Sequence, residues 1–172
     1  GAETRSDVVH EIVDILLRAR PINVYTHDLA DRHRTHVAVG LATIEAIRRM
    51  DPQIRPGRVV GCEGWRGLAW MLDQEKIRMP VNTSDDLALR LTRAHVSQLS
   101  AKAYDSAFQG RRRANATLHE IRNADTDDEV MVAMELTPLV RNDDLDPAEF
   151  VAAAVDRFRG EVLSNLAQAG GS

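Results

Sequence analysis

One stretch constrains this chain more than any other: a short apolar run, a histidine-rich loop and a helical pattern in direct succession. Ile22 to Tyr25 is the run, and the strand it predicts extends to Thr26. The chain then reads His27-Asp28-Leu29-Ala30-Asp31-Arg32-His33-Arg34-Thr35-His36, a polar loop with three of the six histidines. Val37, Leu41, Ile44 and Ile47 follow at spacings of three and four, which predicts a helix from about Thr35 to Met50. A strand, loop and helix in that order open a βαβ unit, so the expected fold class is α/β with a mostly parallel sheet. In such sheets ligands bind beyond the carboxyl ends of the strands. His33 and His36, three apart at the helix start, can point their rings the same way.

The rest of the chain alternates in the same manner. Ser6 is placed to cap a first helix running to about Arg20, with Val9, Ile12, Val13 and Leu16 as its stripe, and Pro21 ends it. Asp51-Pro52 and Pro56-Gly57 mark a loop. Arg58 to Trp65 reads as a second strand. After a loop around Met79-Pro80, Thr83 or Ser84 caps a helix continuing to about Ala103. Another helix is expected from Ala103 to Ile121, interrupted near Gly110. Asn123 to Glu129 is an acidic turn, and Val130 to Met134 a third strand. Asp146 as cap, Pro147 at the first position, Glu149 three after the cap and Gly170-Gly171 as the stop delimit a last helix. Its stripe of Val151, Val155, Phe158, Val162 and Leu166 is expected to pack on the sheet. Three strands with five helices is thin for a doubly wound fold.

Composition narrows the function classes. At 172 residues, 44% hydrophobic and 28% charged, the chain suits one globular domain. A net charge of −4 with interspersed signs gives no reason to expect nucleic acid as a partner. A single cysteine, Cys62, excludes an internal disulfide and suits a reducing compartment. No run approaches the roughly eighteen apolar residues of a membrane helix, and the start is not a signal peptide, so a cytoplasmic location without membrane attachment is expected.

Histidine is the commonest metal ligand and a frequent acid-base group. Taken alone, a His-x-x-His pair equally suits two hydrogen-bonded loop histidines. A zinc site needs three protein ligands, and only His27, Asp28 or Asp31 could add to the pair from this loop. Other candidates are weaker. Trp65 offers a sugar a stacking face, but an aromatic at a strand end commonly just packs. Arg111 to Arg113, with Arg112 in the middle, suit an anionic group, although such a run is more often a solvated face paired with Asp or Glu. Asn115 is either a polar contact for substrate or a helix-surface residue. His95 falls on an apolar stripe and reads as a core histidine, His10 and His119 as surface residues. Glu63 lies on the expected active edge. Cys62 has no base nearby in sequence and takes no catalytic role.

Thr26-His27-Asp28, followed by Asp31-Arg32-His33-Arg34-Thr35-His36-Val37-Ala38-Val39, resembles the second conserved block of the PIG-L/LmbE-like deacetylases. Gly61-Cys62-Glu63-Gly64-Trp65-Arg66, His95-Val96-Ser97-Gln98, Gly110-Arg111-Arg112-Arg113-Ala114-Asn115-Ala116-Thr117 and Leu136-Thr137-Pro138-Leu139 are also similar to segments of that family. The resemblance covers nearly the whole chain. It implies a Rossmann-like three-layer sandwich and a zinc-dependent removal of acetyl groups from N-acetylglucosamine-type amines. It makes His36 a zinc ligand and His33 the histidine that stabilises the oxyanion. Asp28 and Asp31 would orient these imidazoles.

The family's first block, Ala-His-Pro-Asp-Asp, supplies two further zinc ligands and the general base, and this chain has no such block. The resemblance therefore covers residues 1–172 as the C-terminal portion of one deacetylase domain. The missing half would be supplied upstream or by a complementary chain, and these residues alone are expected to bind zinc weakly or not at all. The expected substrate is a small N-acetylated sugar or glycoconjugate. Apolar surface left open by the absent half would favour self-association. The alternative is a non-catalytic binding or assembly module that keeps the fold without the metal site.

Overall fold

The computed structural model describes residues 4–81, 85–94, 102–118 and 126–171. Its elements are α1 (Arg5–Ala19), β1 (Asn23–His27), α2 (Arg34–Arg48), β2 (Arg58–Glu63), β3 (Ile77–Pro80), α3 (Asp85–Arg93), α4 (Tyr104–Leu118), β4 (Val130–Glu135), α5 (Thr137–Arg141) and α6 (Pro147–Gly170). The class is α/β, with one four-stranded mixed sheet in the order β1-β2-β4-β3.

Strands β1 and β2 are parallel, with Asn23 beside Arg58 and His27 beside Cys62. The α2 crossover between them makes this the natural direction. Strands β3 and β4 are antiparallel, with Ile77 beside Ala133 and Pro80 beside Val130. At the other side of β4, the Leu136 N–H just past its end donates to the Val59 carbonyl at the start of β2, at 2.9 Å. The expectation of a mostly parallel sheet is thus corrected. A buried apolar strand reads alike in either direction, and only the connection decides which way it runs. Where a loop is expected around Met79-Pro80, the chain forms β3. Arg78 and Pro80 disguise it, and a strand at the end of the sheet order tolerates proline.

The chain divides into two compact units. The first comprises Gly1–Cys62, Trp70–Lys76 and Met134–Ser172, the second Glu63–Ala69 and Ile77–Ala133. Within the first, α1 meets α2 through Val9, Ala42 and Ala46, flanked by Val8, Ile12 and Val13. Ile44, Ile47, Val59, Val60, Leu136, Leu139 and Val140 are fully or almost fully buried there. Arg55 closes this core, its guanidinium donating to the Val140 and Arg48 carbonyls at 2.8 and 2.6 Å. Within the second unit Leu68, Ala116, Val130, Val132 and Ala133 are buried.

Helix starts follow local chemistry. Thr4, rather than Ser6, caps α1: its hydroxyl accepts from the Asp7 N–H, and Asp7 Oδ2 accepts the Thr4 N–H at 2.9 Å. Helix α6 has the expected bounds, with Asp146 Oδ1 accepting from the Ala148 and Glu149 N–H groups. Its stripe is not buried as expected; Ala154 is the residue that goes under, while Leu166 is 64% exposed. The reason is length. A helix of 24 residues runs about 36 Å, whereas a strand of 6 residues spans about 20 Å. Helix α4 passes Gly110 unbroken. The expected cap at Thr83 or Ser84, His95, His119 and the turn from Asn123 lie outside the described residues, in whole or in part. No helix among the described residues is long and apolar enough to cross a membrane.

Candidate functional site

The histidine loop leaves β1 at His27 and enters α2 at Arg34. Asp28 is fully buried. Its N–H extends the ladder to the Cys62 carbonyl at 3.2 Å, and its Oδ1 accepts the Ala30 N–H at 2.8 Å, which turns the chain. Two glycines let the surroundings close on this turn. A Cβ on Gly40, in α2, would stand 2.8 Å from the His27 carbonyl oxygen and 2.9 Å from Leu29 Cδ2. One on Gly61 would stand 2.8 Å from Leu136 Cδ1 and 2.9 Å from Asp28 Cα. A glycine inside a helical pattern, as Gly40 is, signals close packing; Gly61 lies within β2.

Asp31 organises the histidines. Its Oδ1 accepts the His33 N–H at 2.7 Å, and its Oδ2 lies 2.7 Å from His36 Nδ1. With Nδ1 engaged by a carboxylate, His36 presents Nε2 as its available nitrogen. Burial raises the Asp31 pKa, but the bonds from His33 and His36 outweigh it and the carboxyl sits below its usual range. His33 is the N-cap of α2, and its side chain makes no capping hydrogen bond. The rings of His27 and His36 stack at 4.1 Å with planes 2° apart, and those of His33 and His36 at 4.6 Å and 28°. Burial lowers the His27 pKa, and the neighbouring His36 and His33 imidazoles lower it further.

Ligand atoms of His27, Asp31 and His36 all lie within 4.8 Å of one another, and the three residues could hold a metal ion. Imidazole lone pairs lie in the ring planes, so two stacked parallel rings do not aim at one point. One ring would have to turn before both could coordinate. The geometry instead suits one imidazole, His36, oriented through Nδ1 by a carboxylate, the usual support of a metal-binding histidine. The geometry favours His36 as one oriented donor over a closed three-ligand centre.

The remaining candidates belong to the second unit. Asn115 Nδ2 donates to the Val130 carbonyl at 3.1 Å, tying α4 to β4. Arg112 Nε stands 3.2 Å from Oε2 of the buried Glu129, and Arg113 Nε 3.5 Å from Oε1. Arg112 also lies over the Phe108 ring at 5.0 Å. The arginine run is therefore largely an ion-pair cluster around Glu129. Glu63 is buried and accepts N–H groups from Trp65, Arg66 and Leu68. In the first unit, half-buried Cys62 has its thiol pushed up to about 11 by burial and by the Asp28 charge, which suits no nucleophilic role.

The structure thus brings together His27, Asp28, Asp31, His33 and His36 in one loop, and places Trp65, Arg112 and Asn115 in the other unit. No protein-family model, curated protein or solved structure matches this chain.

Proposed function

We propose that the segment from Thr26 to Val39 is the histidine-bearing part of a PIG-L/LmbE-like, zinc-dependent amide hydrolase with a Rossmann-like fold. It would remove an acetyl or other acyl group from the amine of an N-acetylglucosamine-type sugar or glycoconjugate. The observation that carries the reading is the 2.7 Å contact between Asp31 Oδ2 and His36 Nδ1, which leaves Nε2 for the metal. His33, held through its backbone by the same carboxylate, offers a ring N–H to the carbonyl oxygen as negative charge gathers there. Zinc, when bound, polarises the carbonyl and activates water. The remaining ligands and the base come from an Ala-His-Pro-Asp-Asp block outside these residues.

The test starts with metal content. After exposure to zinc and gel filtration, this chain should retain well under one zinc per molecule; tight, stoichiometric zinc refutes the single-ligand reading. Supplied with a segment carrying the missing block, it should release acetate from an N-acetylglucosamine derivative. His36→Ala should abolish that release and His33→Ala slow it about a hundredfold. No release with the block present would favour a non-catalytic assembly module.

A further inference from the structure

We propose that the outward side of α6 is a docking seam for a helix of another protein, one that carries a carboxylate at the centre of its own apolar stripe. The inference uses no observation made on the histidine loop. Ala148, Ala152, Val155, Arg159, Val162 and Leu166 follow one another at intervals of four, three, four, three and four residues. An average repeat of about 3.5 residues is the spacing at which two helices mesh their side chains along a shared seam. All six residues are exposed, Val155 at 38%, Val162 at 40% and Leu166 at 64%. Leu163, also exposed, borders the line. A contiguous apolar line left open to water marks a contact surface.

The attachment of α6 leaves this line free. Ala154 is buried, and Arg157 Nη2 donates to Glu75 Oε2 at 3.1 Å. At about 3.6 residues per turn, Ala154 and Arg157 both fall on the side of the helix away from the line. The helix is thus held by one side and offers the other. From Arg159 to Gly171 every residue is exposed. A helical arm draws its stability chiefly from packing an apolar face, and this arm has no such packing among the described residues.

Arg159 selects the occupant. It stands in the middle of the line, and its guanidinium makes no ion pair or hydrogen bond among the described residues. A helix laid along the line takes this charge out of water, so it needs a carboxylate opposite, which a guanidinium holds through two parallel hydrogen bonds. A second copy does not supply one there, because none of the six positions of its own line is acidic. A lipid surface fits no better. The charged residues of α6 are Glu149, Asp156 and Glu161 against Arg157 and Arg159, whereas helices that lie on membranes have polar faces rich in lysine and arginine. Size adds a second requirement: the small Ala148 and Ala152 leave room for bulky partner residues, and Val162 and Leu166 call for small ones.

The test is fluorescence anisotropy of the whole chain with two labelled synthetic helical peptides as long as α6, each with leucine opposite the alanines and alanine opposite Val162 and Leu166. One carries glutamate at the core position opposite Arg159 and the other lysine, with net charges matched by residues on the outer face. The glutamate peptide should bind about tenfold more tightly than the lysine peptide. Arg159→Glu should reverse that order, and Leu166→Asp should remove the binding of both. Both residues are exposed, so the variants should keep the unfolding midpoint of the unaltered chain. If Leu166→Asp lowers it, the reversal by Arg159→Glu decides. Binding of neither peptide, equal affinity for the two, or a preference that survives Arg159→Glu overturns the proposal. Self-association that Leu166→Asp abolishes also overturns it, since the line then belongs to a second copy. Metal and turnover play no part, so failure here is distinct from failure of the hydrolase reading.

Discussion

Asp31 and Gly40 show how single residues shape the histidine loop. Asp31 holds a backbone N–H with one oxygen and a ring with the other, so one side chain sets both the start of α2 and the orientation of His36. Gly40, four residues after His36, lets the helix approach the carbonyl of His27. Alanine at this position would favour the helix by about 1 kcal/mol, while a methyl forced against backbone costs roughly 1–3 kcal/mol. Gly40→Ala is therefore expected to lower stability by about 1 kcal/mol net, measured by urea unfolding. A raised midpoint would mean that the loop yields freely. The spacing of His33 and His36 was legible in the sequence because three residues bring side chains together on any helical turn. The part of Asp31 was legible only as one of two candidate carboxylates, since the fold decides which oxygen reaches which ring. Asp28, the other candidate, is buried and turns the chain by accepting the Ala30 N–H.

Among the elements, α6 was readable at both ends because each end carries its own local signal, Asp146-Pro147 at the start and Gly170-Gly171 at the stop. The direction of β4 was not, and it depends on a junction that no local pattern reveals. Glu135 Oε2 accepts from Arg58 Nε at 2.9 Å, while Oε1 accepts the Thr137 N–H at 3.2 Å and the Thr137 hydroxyl. That hydroxyl oxygen in turn accepts the Val59 N–H at 2.9 Å. These contacts hold the end of β4 against the start of β2. Burial raises the Glu135 pKa, but the Thr137 and Arg58 bonds prevail and hold it below the ordinary 4.5. The unfolded chain therefore takes up this proton first as the pH falls. The stabilisation is fully present above pH 4.5 and fades as the pH drops through the lower, folded value. Glu135→Gln should reduce stability at neutral pH and flatten the acid limb of the stability profile, so that the two proteins converge in strong acid. Parallel profiles at all pH values would show that the carboxylate charge is immaterial. Thr137→Val should cost about 1 kcal/mol at neutral pH, as a lost hydrogen bond normally does.

At the scale of the molecule, β1 is the telling strand. It stands first in the sheet order, and only β2 pairs with it among the described residues. Ile22, just before it, is 79% exposed and Tyr25 within it 62% exposed. A strand with one open edge and large apolar side chains invites a further strand or a second copy, and lysine on such an edge discourages both. The expected outcome is self-association: the mass from sedimentation should rise with protein concentration, and Tyr25→Lys or Ile22→Lys should hold the chain monomeric without lowering its unfolding midpoint. A complementary segment that completes the sheet at β1 would compete with the self-associated form, so adding it should return the mass to a one-to-one complex. If the unaltered chain instead keeps a monomer's mass at every concentration, repulsion at a net charge of −4 outweighs the apolar gain at this edge. Raising the salt would then restore association, because screening removes the repulsion and leaves the apolar gain in place.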